Sequence, residues 1–399
     1  MALATLNSQQ SNQPRFALFN LGFRPFFLGA AIYAVTSITI WLGTYGLGWS
    51  LTSSTISPMV WHAHEMIFGY SLAVIAGFLL TAVKNWTNTQ TVYGVKLALL
   101  FSCWVVPRIA ILFEQGLLIA AIMDTLFILL LILCVIAPVV KAKQWKQTGI
   151  MAKLLLMGVA NTLFYLGVFG ILESGIHWGN YTGLYLIIGL ILTMGRRVIP
   201  FFIERGVCYP VTLKNHLWLD ISSLVIFLLF FITTVFTHYT IIAAWLAAIL
   251  FVIHLARITG WYTKGIWRKP LLWSLYLAYA FIIVGFLLFS LSGYHYVSFF
   301  LAIHSMAFGG IGLVTLSMMS RVSLGHTGRN VQQPPKLVGA ACIILAIGGV
   351  IRVFLPILDM SHYLNWIVLS QLCWITAFVI FLIIYTPILV KPRVDHQFG

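Results

Sequence analysis

Apolar runs long enough to cross a bilayer as helices, about 20 residues each, recur at 26–47, 60–83, 92–112, 117–139, 150–172, 180–202, 217–236, 239–257, 271–291, 296–320, 337–358 and 364–390. Polar and basic residues fill the short gaps, and the short alternating segments of a membrane β-barrel are missing. The pattern predicts an all-α polytopic membrane protein of twelve transmembrane helices. It forms one domain over 1–399, with residues 1–20 as a polar N-terminal tail. The longest connections, 203–216 and 321–336, are too short to fold by themselves. No strong internal repeat stands out.

Composition agrees with this. Charged residues make up 8% of the chain, against about 25% in a soluble domain. The net charge of +15 does not point to nucleic acid, because its placement follows the loops. Of the 23 Lys and Arg, 21 fall in the even-numbered loops, the two termini or the helix ends beside them. The positive-inside rule then predicts that both termini are cytoplasmic, with some contact to anionic lipid. Residues 1–14 have no basic segment leading an apolar one, so no cleaved signal peptide is expected and the tail is expected to be disordered. The five cysteines are scattered with no CxxC, which leaves neither a disulfide framework nor a thiolate zinc site.

Ionisable groups inside spans are costly and mark functional sites by default. Six converge on the outer half of the bundle: His62, His64 and Glu65 at the mouth of span 2, His304 in span 10, Arg108 in span 3 and Arg352 in span 11. Residues two apart on a helix face away from each other, so His62 and His64 serve different partners unless the helix starts after them, which Pro58 permits. Imidazoles are ligands for iron, copper and zinc, and a buried haem needs axial His with cations for its propionates. His62 and His304 are therefore expected as axial ligands, with Arg108 and Arg352 at the propionates. His64, with Glu65 as its support, is left for a second metal or for hydrogen bonding among the headgroups.

A second polar group lies toward the basic side, where His254 and His326 are candidates for a further metal or anion site beside Arg196, Arg197, Arg257, Arg321 and Arg329. Ordinary topology-setting charges are the plainer explanation of that group. Arg24 in GFRPFF is expected to anchor the first span at the headgroups. Asp124 is an acid in span 4 with no evident partner. The glycines of FGGIG (308–312) suit close helix packing or the approach of a flat cofactor. No GxGxxG, P-loop, GxSxG or HExxH occurs, so nucleotide chemistry and nucleophilic hydrolysis have no support, and no catalytic residue can be named.

LFNLGFRPFF, WHAHEMIFGYSLAVIAGFLLTAVKNWT, GRRVIPFF and MSRVSLGHTGR together resemble the NnrS family, bacterial polytopic proteins associated with nitric oxide and denitrification and described as containing haem and copper. The resemblance implies a multi-pass protein of the bacterial inner membrane with a role in nitric oxide metabolism or nitrosative stress. Nitric oxide or a related small molecule would be its partner, and the electron donor is unknown. The chain is more faintly similar to the catalytic subunit of haem–copper oxidases and nitric oxide reductases, whose second span carries a haem His followed by a Met-Ile-Phe run. Here His62 precedes Met66, Ile67 and Phe68, which favours His62 over His64. Spans 6 and 7 lack the His set that holds copper in that superfamily.

Three functions follow. One is a haem protein, with copper as a second metal, that binds nitric oxide or acts on it as an oxidoreductase. Two histidines on one iron leave no open position, so gas binding would then need another site, at His64 or at His254 and His326. The second is a twelve-helix secondary transporter of a small molecule or metal. The third is a cofactor-free sensor or assembly factor.

Overall fold

A computed structural model describes residues 16–50, 55–395 and 397–399. The expected tail at 1–14 and the question of a signal peptide lie outside these residues. Twelve long helices follow one another among the described residues: α1 Phe23–Gly46, α2 Pro58–Thr87, α3 Gly94–Ala110, α4 Leu117–Lys141, α5 Thr148–Val168, α6 Gly175–Gly206, α7 Leu217–Phe236, α8 Thr240–Gly260, α9 Pro270–Ser292, α10 Phe299–His326, α11 Lys336–Leu358 and α12 Tyr363–Val390. Eleven are long and apolar enough to cross a membrane. The remaining one, α3, has 17 residues, because the chain turns at Ile111–Phe113 before entering α4. It is shorter than the predicted 92–112 span. The protein is thus an all-helical, multi-pass membrane protein.

In hydrocarbon every backbone polar group must be satisfied within its own segment, which is why apolar runs of this length become helices. Their outward faces stay apolar and exposed, as along α7 at Leu217, Ile221, Leu224 and Leu228. Hydrogen bonds link both described ends to the connections after α2 and α10, and the latter to those after α6 and α8: Ala17 N–H to Val390 O, Gly94 N–H to Phe19 O, Val394 N–H to Thr327 O, Lys269 Nζ to Gln332 O and Lys214 N–H to Gly260 O. Pro58 sits in the first turn of α2, where no backbone N–H is needed, and Ser57 caps it by accepting from Val60 N–H. The helix therefore begins before both histidines.

α2 and α10 are not uniform. Each changes to π-helix directly after a histidine: Glu65–Ser71 follows His64, and Ser305–Gly312 follows His304. Leu72 N–H donates to Ile67 O, five residues back, as the wider turn requires. Gly309, Gly310 and Gly312 pack against Phe281, Ile282 and Trp374, so the FGGIG glycines serve helix packing.

One expectation is overturned here. Arg24 is fully buried and does not reach the headgroups. Its guanidinium donates to the backbone oxygens of Leu389 (2.7 Å), Lys391 (2.8 Å) and Gly399 (2.7 Å), with a longer bond to Ile388 O at 3.3 Å. The carbonyls that end α12 have no partner within the helix, and a cation at that end complements the helix dipole.

Candidate functional site

The six polar groups expected at one depth separate into two clusters. The first is a closed nest between α1, α2, α3, α4 and α5. Arg108 Nη1 donates to both oxygens of Glu65 at 2.7 Å, and its Nη2 donates to Asp124. Tyr33 donates to Glu65, and Tyr165 donates to Asp124 at 2.8 Å. His64 completes the nest, with Nδ1 2.8 Å from Glu65 Oε1 and Nε2 3.0 Å from Asn161 Oδ1. Phe164 stacks on the imidazole at 4.0 Å. None of His64, Glu65, Arg108 and Asp124 is more than 5% exposed.

Gly69, within the π segment, lies against this nest. A Cβ on Gly69 would stand 2.6 Å from Tyr33, 2.8 Å from Arg108 Nη1 and 3.1 Å from Glu65 Oε2. Gly69→Ala is therefore expected to displace a hydrogen-bonded group and to destabilise by about 1–3 kcal/mol, the cost of overpacking a core. Thermal melting of the detergent-solubilised protein measures this, and an unchanged midpoint would show that the nest has slack.

Three expectations change at this nest. Asp124 is not without a partner, since Arg108 and Tyr165 both bond it. Arg108 is not positioned for a cofactor's acidic edge, because two carboxylates of the chain already hold its guanidinium. His64 is likewise closed to a metal, as both ring nitrogens face oxygen atoms. Tyr33, Asn161 and Tyr165 belong to the nest and were not picked out from the sequence.

The second cluster is open. His62 points the other way from His64 and lies flat on Trp41, centroids 4.6 Å apart and planes within 7°. Its Nδ1 has no hydrogen-bond partner. His304 Nδ1 donates to Phe300 O at 2.7 Å, one turn back on α10, and its Nε2 faces Arg352 Nη2 at 3.2 Å. Arg352 lies close enough to both rings to act on them electrostatically. Both rings are half-buried, whereas Arg352 is 6% exposed. His62, His304 and Arg352 thus come together, without His64 or Arg108.

His254 and His326 have separate neighbours. His254 Nδ1 meets Tyr279 Oη at 2.7 Å, and the ring stacks on Phe286. His326 ends α10 with its ring 5.7 Å from Phe23. Beside it Arg393 donates to His326 O, and the same guanidinium holds the Asp395 carboxyl down to about 2. Asp220 bridges Arg196 and Arg257 at 2.5 and 2.6 Å. Among the described residues no three His, Cys, Asp or Glu side chains converge as a metal cage.

A family model described as NnrS protein matches residues 17–393, nearly the whole chain. No curated protein matches the chain.

Proposed function

Because the chain belongs to the NnrS family, we propose that it acts on or binds nitric oxide at a haem held by His62 of α2 and His304 of α10, in the bacterial inner membrane with both termini cytoplasmic. Family membership fits a nitric oxide-related membrane protein. The observation that carries the haem reading is the orientation of His304. Its Nδ1–H is spent on Phe300 O, so Nε2, which here accepts from Arg352 Nη2 at 3.2 Å, is the nitrogen a metal would take in place of that bond. His62 supports it with an unpartnered nitrogen on a ring held flat by Trp41. A haem bound here would supply an iron with affinity for nitric oxide, a gas apolar enough to arrive through the bilayer.

The chain's own part is orientation. His304 is fixed by a bond within its own helix. His62, held by stacking on Trp41, would be the less firmly fixed of the two ligands. Copper has no comparable support at His64, whose nitrogens are both engaged.

An optical spectrum with metal analysis of the purified protein tests the proposal. A Soret band that shifts with nitric oxide is expected, abolished by His304→Ala and converted by His62→Ala. A colourless, metal-free preparation that still protects cells from nitric oxide would sink it. A wild-type spectrum in both variants would move the ligands elsewhere.

One observation favours a second reading. Interrupted helices in corresponding places are also how secondary transporters build binding sites, and α2 and α10 are interrupted alike. Uptake by proteoliposomes, with no cofactor present, distinguishes this reading.

A further inference from the structure

The two interrupted helices share a local sequence. HEMIFG at 64–69 and HSMAFG at 304–309 have the same residue at four of six positions, His, Met, Phe and Gly. The match extends to structure. In each case the histidine ends an α segment, and the π-helix starts at the next residue. Each π segment packs on the helix before it, α1 or α9, and on the helix after it, α3 or α11. That following helix carries a buried arginine, Arg108 or Arg352. The chain therefore contains two versions of one unit, running in the same direction across the bundle.

The two units differ in charge. Arg108 is neutralised by Glu65 and Asp124. At the register of Glu65 the second unit has Ser305, whose hydroxyl donates to Phe281 O at 2.7 Å. Among the described residues Arg352 forms no ion pair. Its Nη2 meets a ring nitrogen of His304, and its buried Nη1 has no partner. The acid next along the chain, Asp359, is taken by Ser361 and His362, whose hydrogen bonds hold its carboxyl below the usual range. A buried charge without a counter-charge costs several kcal/mol, so the second unit is short of one negative charge.

We propose that Arg352, through its unpartnered Nη1 beside His304, forms a binding site for one monovalent anion, a carboxylate or small oxyanion that occupies the place Glu65 fills beside Arg108. A guanidinium pairs with carboxylate-like oxygens through parallel N–H donors, and one such cation calls for one negative charge. The anion comes either from an acidic group of a bound cofactor or from solution. The assignment stands on the charge difference between the units and does not depend on the haem reading.

The test uses the full-length protein in detergent, melted in formate, nitrite or chloride and, at equal ionic strength, in sulfate. For a free anion the midpoint is expected to rise by several degrees, saturably, with one of the monovalent ions and not with sulfate. Arg352→Gln should lose the rise. If that variant does not fold, Arg352→Lys should keep the rise but need at least tenfold more anion. For a cofactor carboxylate, the preparation is coloured, shows no salt-specific rise, and loses its colour in Arg352→Gln. Midpoints that are the same in every salt overturn the proposal when the protein is colourless, or when its colour survives Arg352→Gln. A colourless protein with a saturable rise would remove the haem and leave the anion site standing.

Discussion

Replacing Arg108 by glutamine is expected to abolish accumulation of folded protein. Arg108 is the only cation bonded to both Glu65 and Asp124 among the described residues, and the nest is closed to solvent. Removing one partner of a buried ion pair costs about 3–5 kcal/mol, because the remaining charge is left uncompensated. Here two carboxylates would be left, and total stabilities of about 5–15 kcal/mol cannot absorb much more than that. Yield of monodisperse protein after extraction, followed by a melting curve, measures the effect. The triple variant Arg108→Gln, Glu65→Gln, Asp124→Asn removes all three charges and should recover most of the loss. If Arg108→Gln alone extracts and melts like the wild type, the nest is not what joins α2, α3 and α4.

Arg24→Met is expected to be nearly as damaging, for a different reason. The substituted side chain fills similar space but leaves the carbonyls of Leu389 and Lys391 without their donor. Hydrogen bonds from charged groups contribute about 1.5–3 kcal/mol each, and a buried unsatisfied carbonyl adds its own penalty. Arg24→Lys keeps the charge but has no planar fork to serve several carbonyls at once, so it should fall between the two. Limited proteolysis reads the outcome: α12 should be released from the bundle early in Arg24→Met and late in the wild type. Equal cleavage rates would show that other contacts hold α12.

The fold was legible because it depends on one-dimensional information. Twelve apolar runs predict twelve helices, and only α3 came out clearly shorter than its run, ending where the chain turns at Ile111. The depth of the polar groups was legible for the same reason. Their partners were not. Arg108 and Asp124 meet across the turn between α3 and α4, while Tyr33 comes from α1, the helix before α2, and Asn161 from 97 residues beyond His64. Such contacts depend on helix rotation and crossing, which hydrophobic runs do not encode. The separation of His62 from His64 followed from helical spacing. The placement of Glu65 beside His64, and not below His62, occurs where α2 widens into the π turn. The paired HEMIFG and HSMAFG segments are present in the sequence, but six residues carry little weight beside whole spans of similar apolar composition. Arg24 departs from its expectation because an arginine before a span usually reaches outward, and nothing local announces a partner 365 residues away.

That last distance has a consequence for assembly. α1 precedes α12 in synthesis, yet among the described residues Arg24 donates only to α12 and the chain beyond it. At roughly 5–20 residues per second of synthesis, the guanidinium waits on the order of 20–70 s for its acceptors. During that time it is a charged group without the acceptors that bury it in the finished bundle. The clasp between α1 and α12 therefore acts as a final latch, and an assembly that stalls before it closes exposes a cation that the finished protein hides.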